Sequence, residues 1–356
     1  MPIKLAVAIL MAGMVANAAV SAQDLPTKDF ALRKQLNIVG SSSMRPYLEA
    51  ASVDFVANTK LPEPVLDLKS TGEGIDRFCS GVGVDFPDIA AASRRITRSE
   101  FKRCRENQVG DIIEIVIGHS AVAIVVPKGH PVMDLTQREF FTALADEVPA
   151  NGDFVQNPTR TWRDVHPRLP ANEIKILLPS RESGTRQTFN DRMLEAGCRH
   201  VPEIRAISIA SYRVARCTTP RDDGGVVEIP DRIALSEVLA GARPGTIAVV
   251  PREAWLAEQA RFDVMPVAGL LPTVESIQND EYELSRHLYL YFKAAHMRDS
   301  RGFGITRGLR EYMLAATSDG LGEPGGTFEK LGLVLLRAEE RAADRLETIL
   351  MRPLER

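Results

Sequence analysis

Hydroxyl-bearing residues gather at three places in this chain, each behind an apolar run and ahead of a helical pattern. They read Gly40-Ser41-Ser42-Ser43-Met44, Ser70-Thr71-Gly72-Glu73-Gly74 and Ser180-Arg181-Glu182-Ser183-Gly184-Thr185. One Ser or Thr is enough to cap a helix, because its oxygen accepts a free amide of the first turn. Three serines in the first stretch exceed that need, since Pro46 already suits the first helical turn. Neutral donors beside glycine and helix N-termini are suited to desolvating a small oxyanion. Amides and hydroxyls replace its water hydrogen bonds, and glycine lets the backbone come close. Arg181 in the third stretch and Arg94 in "ASRR" add planar guanidinium groups that can each hold two oxygens of a phosphate-like ion.

Other chemistries lack their residues. There is no Gly-Lys-Ser/Thr of a Walker loop, and Gly118-His119-Ser120-Ala121-Val122 lacks the second glycine of a nucleophile elbow. The six histidines are scattered without the spacing of metal ligands, so each is read as structural, and neither metal nor cofactor is expected. A formal charge of −3, with no basic run interleaved with aromatics, gives nucleic acid nothing to hold. Binding is therefore expected over catalysis.

The elements that must position these loops follow from the pattern. With 356 residues, 44% hydrophobic and 26% charged, the chain suits two globular lobes at roughly 100–200 residues each. Strand-like runs alternate with helical periodicity, which is the pattern of a mainly parallel sheet with covering helices. Ligands of such sheets sit beyond the carboxyl ends of the strands, where the three loops fall. Strands are expected at Leu36–Val39, Val65–Leu68, Asp88–Ala92, Ile174–Leu178 and Gly245–Pro251. Ile112–Val126 reads as two strands in succession, passing into the second lobe, with a return near Phe262–Val267. "YELSRHLYLYFKAAH" and "RGLREYMLAAT" read as helices, and a charged amphipathic helix, "RAEERAADRLETIL", follows. Residues 1–22 carry an early Lys, an apolar stretch and a small-residue ending, the pattern of a cleaved secretory leader. Four cysteines without C-x-x-C spacing suit two bridges in an exported chain, paired as neighbours: Cys79 with Cys104 and Cys198 with Cys217.

At these loops the sequence resembles the periplasmic phosphate-binding proteins of the Pst ABC transporter. The carrying segments are "IVGSSSMRPYLEAASVDF", "KSTGEGIDRFCSG", "DIAAASRRITRSE", "PSRESGTRQTF" and "SRHLYLYF", in family order across most of the chain. The resemblance implies the type II periplasmic binding protein fold: α/β, two-lobed, each lobe a mainly parallel sheet flanked by helices. Lobe I would hold residues 36–118 plus 263–340 and lobe II residues 119–262, followed by a helical tail over 341–356. It also implies the ligand set. Ser43 and the Met44 amide, with Ser42 beside them, serve from the first loop, Thr71 with Gly72 from the second, and Ser183, Gly184 and Thr185 from the third. Arg181 lies two residues before Ser183, where better-known members place an arginine four before. Arg94 stands where those members carry an aspartate that accepts the proton of phosphate, and Glu182 or Glu73 is the expected substitute. The implied protein is a monomeric periplasmic receptor that hands phosphate to an inner-membrane ABC transporter permease. Alternatives are another oxyanion, an organic phosphate, an exported phosphatase or esterase, or an adhesin or sensor component. Replacing Arg181 or Thr185 by Ala is expected to weaken binding by about 1–3 kcal/mol.

Overall fold

The computed structural model describes residues 33–230, 234–297 and 304–355, so the expected leader lies outside the described residues. In chain order the strands are β1 (Asn37–Ser41), β2 (Val65–Lys69), β3 (Ile89–Ala92), β4 (Ile112–Pro127), β5 (Glu147–Ala150), β6 (Asp153–Gln156), β7 (Lys175–Pro179), β8 (Val226–Ile229), β9 (Thr246–Pro251), β10 (Phe262–Val264) and β11 (Ser285–Lys293). Nine of them form one mixed sheet in the order β2-β1-β3-β11-β4-β9-β7-β8, with β10 also on β4. The outer strands pair in parallel, β2 with β1 and β1 with β3 on one side, β9 with β7 and β7 with β8 on the other. Helices cover both halves, as expected of this α/β class.

β4 joins the halves. It is one strand of 16 residues and not two in succession. Ile112–Ala121 pairs antiparallel with β11, Val122–Val125 with β9, and Val125–Pro127 with β10. Its run IIEIVIGHSAVAIVVP is apolar on both faces, as a strand covered on both sides must be. β10, over the stretch expected to return to the first half, belongs with the second. Met265, Val267, Ile277, Tyr282 and Leu284 likewise pack in the second half's core beside Phe140, Trp162, Ile176 and Phe189.

The return is β11, where a helix was expected. Leu288, Leu290 and Phe292 face a core of Ile38, Leu48, Phe55, Ile113 and Tyr312, while Tyr289 and Tyr291 face the opposite one with Phe78 and Ile96. That alternation is the period of a strand. Because both faces are covered, the run Leu288–Phe292 is apolar or aromatic at every position, and helical spacing fits the same letters.

Smaller differences are local. The segment after Leu144 contains the β5–β6 hairpin, and the short helix that follows β7 spans Gly184–Phe189. The expected helices at Leu309–Ala316 and Ala338–Leu350 are present. Both expected disulfides form, Cys79–Cys104 and Cys198–Cys217, with sequence separations of 25 and 19. Loops of that length stabilise by about 3 kcal/mol each in the chain-entropy account. Among the described residues no helix is long and apolar enough to cross a membrane.

Candidate functional site

Four strand ends deliver hydroxyls to one place. Ser41 ends β1 with no exposure, and Ser42–Met44 make a tight turn into the helix Arg45–Thr59, which has proline in its first turn. β2 leads to the helix Thr71–Phe78, capped by Ser70, whose Oγ accepts the Glu73 amide at 3.2 Å. Ser93 follows β3 directly. Beyond β7, Ser183 caps the helix Gly184–Phe189 by accepting the Thr185 amide at 3.2 Å.

These ends touch. Ser41 Oγ lies 2.9 Å from Ser43 Oγ and donates to Ser93 Oγ at 3.4 Å. Thr71 Oγ1 lies 3.1 Å from Ser93 Oγ and accepts the Ser93 amide at 3.0 Å. The third loop closes on them from the other half of the sheet: a Cβ at Gly184 would stand 2.9 Å from Ser43 Oγ and 3.0 Å from Ser41 Oγ. Any larger residue at 184 would crowd the Ser41 and Ser43 hydroxyls. Ser43, Thr71, Ser183, Gly184 and Thr185 are thus brought together, with Ser42 on the rim of a cavity of about 470 Å³ that Ser43, Ser120, Ser183, Gly184 and Thr185 also line. Met44 turns its side chain into the core, so only its backbone is available at the loop.

The charge comes from a residue outside the expected set. Arg286, the second residue of β11, is buried and lines both this cavity and a neighbouring one of about 210 Å³, which Thr71, Ser93, Arg94 and Thr188 also line. Its Nη1 donates to Gly184 O and Thr188 Oγ1, while its Nε is buried with no partner. Burial pushes the guanidinium down to about 10, against the opposing fields of Glu253, Tyr47 and Asp191. Among the described residues no carboxylate forms an ion pair with it. A buried cation is ordinarily paired. One facing a cluster of hydroxyls and helix N-termini is suited to an anion.

The expected arginines stand differently. Arg94 lines the smaller cavity, with its Nη2 3.9 Å from where a Cβ on Gly72 would be. Its nitrogens donate to both Glu100 oxygens, at 2.9 and 2.7 Å, which holds Glu100 below the usual carboxylate range against its own burial. Glu100 is fixed in turn by a capping box with Thr97 at the start of the helix Arg98–Glu106. Much of the Arg94 charge is therefore already answered. Arg181 is 73% exposed, with its Nε 3.6 Å from Glu228, and lines neither cavity. Glu73 is exposed and accepts from Lys69, and Glu182 is exposed. Two carboxyls line the larger cavity, Glu49 and Glu253, and burial raises Glu253 above its ordinary value.

Sequence reasoning thus left out Ser41, Ser93 and Arg286 from the site. The first two sit inside or beside the quoted motifs and were one step away. Arg286 lies in "SRHLYLYF", but a helical reading gives its side chain no address on the sheet.

Comparison with known proteins agrees with this architecture. The chain is 30% identical to protein SphX of Synechococcus elongatus over 178 residues, 50% of this chain and 49% of that one, so the match spans about half that relative's length. It is 24% identical over 270 residues to the phosphate-binding protein PstS of Staphylococcus saprophyticus, covering 74% of this chain and 72% of that one. A crystal structure of a "possible phosphate binding protein" from Planctomyces limnophilus shares the fold, with a TM-score of 0.63 at 14% identity over 89% of this chain and 98% of that one. The profile of the PBP superfamily domain matches residues 25–316. With most of its length under that profile, the chain belongs to the PBP superfamily.

Proposed function

We propose that this protein captures inorganic phosphate between two lobes and delivers it to the permease of an ABC transporter, without catalysing a reaction. It acts as an exported, periplasmic monomer. The observation that carries this reading is the buried, unpaired Arg286 beside hydroxyls and amides from separate strand ends. A tetrahedral anion satisfies that guanidinium and replaces the hydroxyl contacts with charge-assisted ones. The relative named as a phosphate-binding protein supports phosphate as the ion.

The lobes are residues 36–118 with 285–340 and residues 119–284, hinged where β4 and β11 pass between them. Packing of Met265–Leu284 with the second core supports this division over a return at Phe262. Closing the lobes brings Gly184 and Thr185 against Ser43, and such hinge motion buries a ligand. Ser42, Ser43, the Met44 amide, Thr71, Gly72, Ser183, Gly184 and Thr185 supply neutral donors, Arg286 the central charge, and Arg94 a charge shared with Glu100.

The test separates the site from its surroundings. In calorimetric titration of phosphate-free protein, Ser43→Ala and Thr185→Ala weaken phosphate binding about 10- to 100-fold, the scale of a lost hydrogen bond to a charged group. Arg181→Ala, on an exposed side chain, stays within about threefold of wild type. Equal loss in all three variants, or in Arg181→Ala alone, would move the anion to the outer end of the third loop.

A further inference from the structure

His119 and His287 stand opposite each other in the pairing of β4 with β11, where both strands pass between the halves of the sheet. Their rings meet edge to face with centroids 4.3 Å apart. Asp280, after the helix Val274–Gln278, places Oδ1 2.9 Å from His287 Nε2. One potential ligand atom from each of the three lies within 4.8 Å of the others. Sequence spacing hides this group, because the strand pairing brings together residues far apart in the chain.

What sets the cluster apart is His119. It is 2% exposed, and neither ring nitrogen has a hydrogen-bond partner among the described residues. Buried polar groups in native proteins are nearly always satisfied, so an imidazole with both nitrogens idle is costly unless something joins it. His287 and Asp280 leave their side chains 33% and 60% exposed, which gives a small cation a way in from solvent.

We propose that His119, His287 and Asp280 bind a divalent transition-metal ion, with zinc the best match, and that water completes its coordination. Two imidazole nitrogens and one carboxylate oxygen suit zinc, whereas calcium and magnesium need oxygen donors throughout. Bonds of about 2.0–2.1 Å in a tetrahedral zinc site set ligand atoms roughly 3.3 Å apart. Rotation of the two more exposed side chains onto the fixed His119 closes the remaining gap. The ion takes the place of the hydrogen bond between His287 and Asp280, and the nitrogen that binds it sheds any proton to solvent. This inference does not rest on the anion reading.

The test is titration of wild-type protein with Zn²⁺ in phosphate-free buffer against a chromogenic chelator, beside His287→Ala, Asp280→Asn, His119→Gln and the exposed control His200→Ala. Expected is one Zn²⁺ per chain in wild type and in the control, with affinity at least tenfold lower in the three site variants. Wild-type Tm should rise with Zn²⁺, and that of His287→Ala should not. If His119→Gln fails to fold, the two variants on exposed side chains decide. Absence of stoichiometric binding, or wild-type affinity in His287→Ala and Asp280→Asn, would overturn the proposal.

Discussion

Replacing Arg286 by Met lowers phosphate affinity at least 100-fold and leaves the protein as stable as before or more so. The two halves of this expectation come from one fact, the burial of a guanidinium without an ion-paired carboxylate. Burial pushes it only to about 10, so it remains a cation at pH 7, with a buried Nε that has no partner. Removing a buried charge from an anion's partners costs several kcal/mol, and about 1.4 kcal/mol is a factor of ten. For the empty protein the balance reverses, because an apolar side chain of similar length relieves a desolvated charge. Little is orphaned, since Gly184 O keeps the Thr188 hydroxyl as a donor at 2.9 Å. Calorimetry with phosphate and thermal melting of the ligand-free variant check both. An arginine that only holds the fold together would lose Tm and keep affinity, the opposite pattern.

Gly40→Ala destabilises the protein by about 3 kcal/mol or more, the sum of a strained backbone and an overpacked site. Gly40 lies in β1 at φ +139°, and a Cβ there would stand 1.9 Å from Ala91 O and 2.8 Å from Ala91 N, both backbone atoms of the paired strand. On the other side the helix Thr71–Phe78 presses in so closely that a Cβ on Gly74 would lie 2.3 Å from Gly40 Cα. Neither neighbour is a side chain that can swing away. Because Ser41 to Ser43 follow Gly40 at once, phosphate binding falls with stability. Gly110→Ala, where a Cβ meets nothing within 4 Å, changes stability by less than about 0.5 kcal/mol. Urea denaturation of both variants provides the comparison, and a Gly40→Ala protein within 1 kcal/mol of wild type would contradict the packing described.

The legible part of this molecule was what local chemistry writes into contiguous letters. Hydroxyls, glycine and a helix start in one short stretch identify a donor loop, and all three loops do meet around Ser41, Ser43 and Gly184. Neighbouring cysteines likewise announced their own bridges. The obscure part was direction. Arg181 is two residues from Ser183, yet nothing in a loop sequence says which way a long side chain leaves it, and it leaves toward Glu228 and solvent. Arg94 has the right position and a partner, Glu100, that only the capping turn at Thr97 brings into reach. Arg286 depended on recognising β11, whose two buried faces erase the polar alternation that marks a strand. His119 and His287 are neighbours only because β11 pairs with β4.

The central claim is that separate strand ends and Arg286 replace the water around one tetrahedral anion. The most direct measurement unfolds wild-type protein to strip it, refolds it and titrates it with phosphate, and then with sulfate, in a calorimeter. A single phosphate per chain, with heat that vanishes in the Arg286→Met protein, is the expected result. A correctly refolded wild-type sample that takes up neither ion would contradict the account.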